Sequence, residues 1–133
     1  MAAHAILSAS ASHRWLNCPP SARLCADKED PASEYALQGT DAHTLCEHKL
    51  KKAIGMKSRN PTNNLTYYDE EMEQCAEEYA QYCSSVVEDA KKICKDPVVL
   101  IEQKLDFSKY VPEGFGTGDC VIIGDGTLYV IDY

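Results

Sequence analysis

The sequence has no apolar segment long enough to cross a membrane. Apolar residues make up 44% of the 133 residues but come in short runs, whereas a membrane-spanning helix needs about 20 in succession. The N-terminal stretch MAAHAILSASASHRW also lacks the basic region and long apolar segment of a secretory signal. We therefore expect a globular protein of the cytoplasm.

Positive charge is scarce as well. Lys and Arg total 13 against 21 Asp and Glu, which gives a net charge of −8. Nonspecific nucleic-acid binding normally depends on a positive field, so the surface as a whole is not expected to bind DNA. A local site where metal ions bridge carboxylates to phosphate is compatible with this charge.

The cysteines do not form a zinc-binding motif. None of the seven stands in a CxxC arrangement, so a structural zinc site has little local support. Several fall at apolar helix positions, where a free thiol behaves as a small hydrophobic side chain. In the absence of a secretory signal, we favour a reducing compartment and free thiols over disulfides.

Helices are predicted first along the chain and strands last. Apolar residues recur at helical spacing most clearly over residues 69–95, with Thr66-x-x-Asp69 as a capping box. Ser33 is the expected cap of a helix over residues 33–54 that stops at Gly55, and Ser8 or Ser10 would cap residues 8–17. A short helix is predicted over 21–26, and strands over 98–108, 118–124 and 127–133. The fold class is therefore α+β, with one domain over residues 1–133 that is mainly helical to residue 96 and carries a three-stranded antiparallel meander from residue 97.

Two aspartates lie among the apolar residues of the last two strands. A tight turn at Gly124-Asp125-Gly126 would set Asp119 near Ile131, with Asp132 one step away, so a bulge or strong twist could bring the carboxylates together. Two carboxylates in apolar surroundings repel each other, and a divalent cation relieves that repulsion. The alternative is that both aspartates face solvent.

Three further residues could take part in such a site. Glu102 lies in a predicted strand on the same side as Lys104, which equally fits the solvated face of an edge strand. His43 and Glu47 are four residues apart and share one helix face, where they could bind a metal together or form an ordinary surface pair.

These pieces together resemble the PD-(D/E)XK nuclease superfamily, and its RecB-like branch in particular. The stretch QGTDAHTLCEH matches a Gly-x-x-x-His pattern through Gly39 and His43. GTGD supplies the first acid, Asp119, and LYVIDY the second, Asp132. The opening SASASHRWLNCPPS is similar to the start of many RecB-like nucleases. More narrowly, the chain resembles the N-terminal part of an uncharacterised family of bacteriophage and prophage proteins, which implies the cytoplasm of a bacterial host cell.

The resemblance implies a metal site and a reaction. His43, Asp119 and Asp132 would bind Mg²⁺ or Mn²⁺, completed by the backbone carbonyl of Tyr133, and the two aspartates would be catalytic. Glu47 would be a helper, whereas Glu102 has no sure counterpart and is kept as a second helper. The reaction would be hydrolysis of DNA phosphodiesters.

One family residue is missing from the motif. The lysine expected after Tyr133 is not in the chain, so the resemblance implies an incomplete restriction-endonuclease-like core with little activity. Cys18 stands at a Cys-Pro that some relatives use for an iron–sulfur cluster, but a cluster needs about four thiolates and is not expected here.

Other functions remain open from the sequence. The same fold could serve as a non-enzymatic phage adaptor, or the long helix from Asp69 could be an interaction module. An exposed sheet edge would also favour a homodimer.

Overall fold

The computed structural model describes residues 5–28 and 31–133, and its secondary structure confirms the α+β prediction. Within these ranges four α-helices precede a three-stranded antiparallel sheet. The helices are α1 (Ser12–Asn17), α2 (Ser21–Leu24), α3 (Glu34–Ala53) and α4 (Glu70–Ile93), with a 3₁₀ turn at Thr62–Asn64. The strands are β1 (Val98–Asp106), β2 (Phe115–Gly124) and β3 (Thr127–Ile131).

The ends of α3 follow the predicted signals. The Ser33 side chain accepts a hydrogen bond from the Ala36 amide, so the predicted cap is confirmed. Gly55 follows the last turn with a φ of 83°, a left-handed conformation that glycine adopts without steric cost. The predicted stop of this helix is therefore also confirmed.

The predicted caps of α1 and α4 are wrong. Asp69 itself is the N-cap of α4, since its carboxylate accepts a hydrogen bond from the Met72 amide at 2.7 Å, while Thr66 lies in the preceding bend. Ala11 stands at the N-cap of α1 without a side-chain hydrogen bond, so neither Ser8 nor Ser10 caps it. An acid at the N-cap satisfies a free helix amide as well as a hydroxyl does, which removes the need for Thr66.

Helices α3 and α4 pack against each other and against β2. One buried cluster includes Leu50 of α3, Cys83 and Val87 of α4, and Ile122 of β2. A second cluster joins α3 to the first turns of α4 through Leu45, Cys46, Met72 and Ala76. The predicted apolar face of α4 is therefore the face that is buried, although Cys75 on its flank is exposed.

The last two strands form a hairpin with a two-residue turn. Gly124 pairs with Thr127, and the intervening Asp125 and Gly126 have φ values of 48° and 74°, as a type I′ turn requires. Because Cys120 pairs with Ile131, one further step sets Asp119 opposite Asp132. The predicted pairing of Asp119 with Ile131 is wrong by one residue, because the turn contains two residues and is not centred on Asp125.

Strand β1 departs from regular alternation at Glu102. This residue has a φ of 49°, a left-handed conformation that is strained for a side chain of its type. Exposure along the strand accordingly changes from four half-buried residues, Val99 to Glu102, to two exposed ones, Gln103 and Lys104. The prediction that Glu102 shares a face with Lys104 therefore does not hold.

Contacts divide the chain into two compact units. One comprises the described part of Met1–Pro31 with Lys104–Thr117, and the other comprises Ala32–Gln103 with Gly118–Tyr133. Within the first, the Trp15 indole nitrogen donates to the Ser8 carbonyl at 2.8 Å, and the Phe107 amide donates to the Gly114 carbonyl at 3.1 Å. The second contains α3, α4, the hairpin and all the acidic site residues considered below.

Two surface properties bear on partners. None of the helices among the described residues is long and apolar enough to span a membrane. Strand β3 is an edge of the sheet, and its Leu128 and Val130 are 61% and 64% exposed. An exposed edge is the feature on which the homodimer prediction was based, and that assembly stays a prediction.

Candidate metal centre

His43, Glu102 and Asp119 form a compact cluster of metal-ligating side chains. Ligand atoms of these three residues all lie within 4.8 Å of one another. The His43 Nδ1 atom is 3.4 Å from Asp119 Oδ2 and 3.8 Å from Glu102 Oε1. Asp119 is buried, whereas His43 and Glu102 are half-buried, so the cluster is partly accessible to solvent.

Each member comes from a different secondary-structure element. His43 lies one turn after Gly39 in α3, which packs on α4. Asp119 follows Gly118 within β2, next to the buried Cys120 and Val121. Glu102 reaches the cluster because its left-handed backbone breaks the alternation of β1. The cluster is therefore a product of the tertiary fold and not of one local motif.

Asp132 adds a second carboxyl group to Asp119. It stands just after β3, opposite Asp119, and its side chain hydrogen-bonds the Asp119 carboxylate. That hydrogen bond raises the pKa of Asp132, and burial and the negative charge of Asp119 raise it further. The Asp132 carboxyl group therefore keeps its proton more readily than an ordinary aspartate does, because a second negative charge beside Asp119 is unfavourable.

Glu102 is subject to the same conflict. Burial raises the pKa of Glu102, and the negative charge of Asp119 raises it further, while His43 acts in the opposite direction. A carboxyl in this environment resists ionisation unless a positive charge is supplied. The acids of the cluster are thus arranged at an energetic cost that a bound cation would offset.

Tyr133 contacts two members of the cluster, Asp119 through its backbone amide and His43 through its ring. Its amide donates to Asp119 Oδ2 at 3.0 Å, and its ring packs edge-on against the rings of His43 and Tyr79, with centroid distances of 5.6 and 5.5 Å. The Tyr133 hydroxyl also hydrogen-bonds the thiol of Cys46. Burial raises the pKa of both groups to about 12, so both stay protonated at neutral pH.

The residues predicted from sequence are partly brought together. His43 and Asp119 meet in the cluster, and Asp132 joins through Asp119. Glu102, predicted only as a helper, supplies the third ligand atom of the cluster. Glu47 lies one turn beyond His43 and pairs with Lys51, outside the three-residue group. Cys18 is exposed at the end of α1.

Sequence reasoning missed the supporting groups around the cluster. Tyr79 and Cys46 were recognised only as apolar helix positions, and the Tyr133 amide carries no sequence signal at all. Tyrosines at apolar positions are common in helical cores, so no local pattern could have singled out Tyr79.

The donor set fits a divalent cation that accepts both oxygen and nitrogen ligands. Carboxylate oxygens suit Mg²⁺ and Mn²⁺, and imidazole suits transition metals more than Mg²⁺. One imidazole with two or three carboxyl groups therefore favours Mn²⁺ over Mg²⁺.

The fold and the cluster together define an α+β protein with one imidazole and two carboxyl groups close enough to hold a metal ion. The chain belongs to a family described as proteins of unknown function (DUF2800), whose model matches residues 4–133. A search of solved structures gave no match.

Proposed function

We propose that the chain binds a divalent cation through His43, Glu102 and Asp119, and that this centre belongs to a metal-dependent DNA nuclease of the PD-(D/E)XK type. The observation that carries the proposal is the convergence of three ligand atoms within 4.8 Å from α3, β1 and β2. The similarity of the Gly39-x-x-x-His43 and Asp119…Asp132 motifs to RecB-like nucleases supports the reaction class.

In the proposed site some residues hold the cation and others support those ligands. His43, Glu102 and Asp119 hold the cation, and the Asp132 side chain hydrogen-bonds the Asp119 carboxylate beside them. The Tyr133 amide keeps the Asp119 carboxylate oriented, and its carbonyl is a proposed additional ligand. A cation bound here would activate water and stabilise charge on a phosphodiester oxygen.

We expect these residues to bind Mg²⁺ or Mn²⁺ and, through the bound cation, a DNA phosphodiester.

Cation-dependent DNA binding is the test of this function. Because the net charge is −8, the chain should bind a fluorescein-labelled single-stranded oligonucleotide only when Mn²⁺ bridges the acids to phosphate. We expect binding with Mn²⁺, release by a chelator, and loss in Asp119→Asn. Asp125→Asn, in the hairpin turn, is the matched control and should bind as the wild type does.

The alternative, a non-enzymatic phage adaptor, predicts a different result. Binding that is equal with and without chelator, and unchanged in Asp119→Asn, would contradict the nuclease proposal and favour the adaptor. DNA cleavage that Asp132→Ala abolishes would support the nuclease proposal over the adaptor.

A further inference from the structure

A small cleft lies between the first turns of α3 and the start of α4, beside the metal-ligating cluster. It has a volume of about 290 Å³ and is lined from α3 by Tyr35, Gln38 and Gly39, and from α4 by Glu71. Ligand pockets in proteins usually measure about 300–1,000 Å³, so this cleft is suited to a group the size of one ring system.

Two of the lining residues, Gly39 and Tyr35, favour a flat ligand in the cleft. Gly39 leaves open space, since a Cβ added there would meet nothing within 4 Å. Tyr35 lies one turn earlier on the same helix face and is 85% exposed. The missing side chain at Gly39 therefore leaves the neighbourhood of the Tyr35 ring accessible to a planar group.

Tyr133 connects the cleft to the metal-ligating cluster. It lines the cleft, and its ring contacts the His43 ring at a centroid distance of 5.6 Å. Its amide donates to the Asp119 carboxylate at 3.0 Å. A ligand in the cleft would therefore contact a residue that itself contacts two of the cation ligands.

We infer that this cleft binds one unpaired nucleobase of a single-stranded nucleic acid whose phosphodiester lies at the metal-ligating cluster. The inference rests on the proposed function. Stacking on a tyrosine accepts any base, and the Gln38 amide and Glu71 carboxylate can accept hydrogen bonds from exocyclic amines. The negative charge of Glu71 and Asp69 disfavours a phosphate in the cleft, so the base and not the backbone enters it.

Binding of deoxyadenosine monophosphate tests the inference, because a mononucleotide cannot be cleaved. With saturating Mn²⁺, calorimetry should give tighter binding for the mononucleotide than for inorganic phosphate, since only the former places a base in the cleft. Gly39→Leu places a large side chain in the cleft, and leucine has a high helix propensity, so α3 should still form. Tyr35→Ala removes the ring on which the base would stack. Each should weaken mononucleotide binding by about tenfold, from a stacking contribution of roughly 1–3 kcal/mol, and leave phosphate and Mn²⁺ binding unchanged.

The matched control introduces the same side chain one position later. Thr40 is exposed on α3 and does not line the cleft, so Thr40→Leu should bind the mononucleotide as the wild type does. Equal affinity for the mononucleotide and phosphate, or unchanged affinity in Gly39→Leu, would overturn the inference. Tighter binding of arginine amide than of the mononucleotide would do the same, because it would assign the cleft to a cation.

Failure of the metal site can be told apart from failure of the cleft. If Mn²⁺ does not bind, the proposed function fails. The cleft is then tested separately, by measuring the binding of deoxyadenosine with ligand-observed NMR. A signal that Gly39→Leu removes and Thr40→Leu retains supports the base site; no signal from the wild type overturns it.

Discussion

At the residue scale, the candidate site brings together several energetically unfavourable features, and a bound cation would offset their cost. The hydrogen bond to Asp119 raises the pKa of Asp132, and Glu102 combines a raised pKa with a left-handed backbone. Strained backbone and carboxyl groups with raised pKa values cluster at functional sites more than elsewhere in proteins. The metal-free protein is therefore expected to gain stability from substitutions that would destroy its cation binding.

Asp132→Asn should stabilise the metal-free protein at neutral pH. The pKa of Asp132 is raised in the folded state, so the folded state binds more protons than the unfolded state and loses stability as pH rises through the folded pKa. Asparagine removes this penalty. The melting temperature should exceed that of the wild type at neutral pH, and the difference should vanish below the ordinary aspartate pKa of about 3.9.

The control for this substitution lies in the same hairpin. Asp125→Asn keeps a residue that type I′ turns favour and should change the melting temperature little. A lower melting temperature for Asp132→Asn than for the wild type at neutral pH would show that the carboxyl pair stabilises the fold, contrary to the account.

Glu102 tests the strain separately from the charge. Glu102→Gln keeps the strained backbone with φ of 49°, whereas Glu102→Gly relieves it. We expect the glycine variant to be more stable than the glutamine variant by about 1 kcal/mol in urea unfolding, because left-handed backbone costs a non-glycine residue roughly 1–3 kcal/mol and glycine loses some of that gain to chain entropy. Both should bind Mn²⁺ more weakly. Equal stability of the two would argue against strain at this position.

At the scale of elements, helix termini and the hairpin are governed by local rules. Ser33, Gly55 and Asp125-Gly126 act within a few residues of themselves, so the sequence was sufficient to predict α3, its ends and the hairpin turn. The α4 cap was mispredicted because Thr66 and Asp69, three residues apart, can both cap a helix, and local rules do not choose between them.

The α4 cap gives a prediction at this scale. Asp69→Ala removes the hydrogen bond to the Met72 amide and should lower the free energy of unfolding by about 1 kcal/mol. Thr66→Ala, three residues upstream, should change it by no more than about 0.5 kcal/mol, the usual range for a surface position. Urea unfolding of the two variants measures the difference, and a larger effect at Thr66 would restore the capping box.

The candidate site was less predictable than the elements that carry it. His43, Asp119 and Asp132 were singled out from their places in the predicted helix and hairpin, and the motif resemblance gave them a shared role. Glu102 was predicted only as a helper, because strand alternation does not foresee its left-handed backbone. The Tyr133 amide has no side-chain signature, so its hydrogen bond to Asp119 could be read only from tertiary structure.

At the scale of the whole molecule, cation binding and folding should be coupled. The ligands come from α3, β1 and β2, and Asp132 follows β3, so one cation would join the helical and sheet parts of the larger unit. A ligand that binds only the folded state stabilises it in proportion to its occupancy. The metal-bound protein should therefore melt at a higher temperature than the metal-free protein.

Acid should weaken the cation affinity. Protons compete with the cation for Glu102 and Asp132, whose pKa values are raised, so affinity should fall as pH decreases through those raised values. Calorimetric titration with Mn²⁺ in buffers from neutral to mildly acidic pH measures the trend. An affinity that is independent of pH over this range would place the cation away from these carboxyl groups.

The most direct test of the account is calorimetric titration of Mn²⁺ into the wild type and Asp119→Asn at neutral pH. Asparagine keeps the shape of the side chain and an oxygen for the Tyr133 amide, so the variant should fold. The account predicts one Mn²⁺ per wild-type chain and an affinity at least about tenfold lower in the variant, since loss of even a supporting group costs roughly 10–100-fold. Equal affinity and stoichiometry in the two proteins would contradict the metal centre proposed at Asp119.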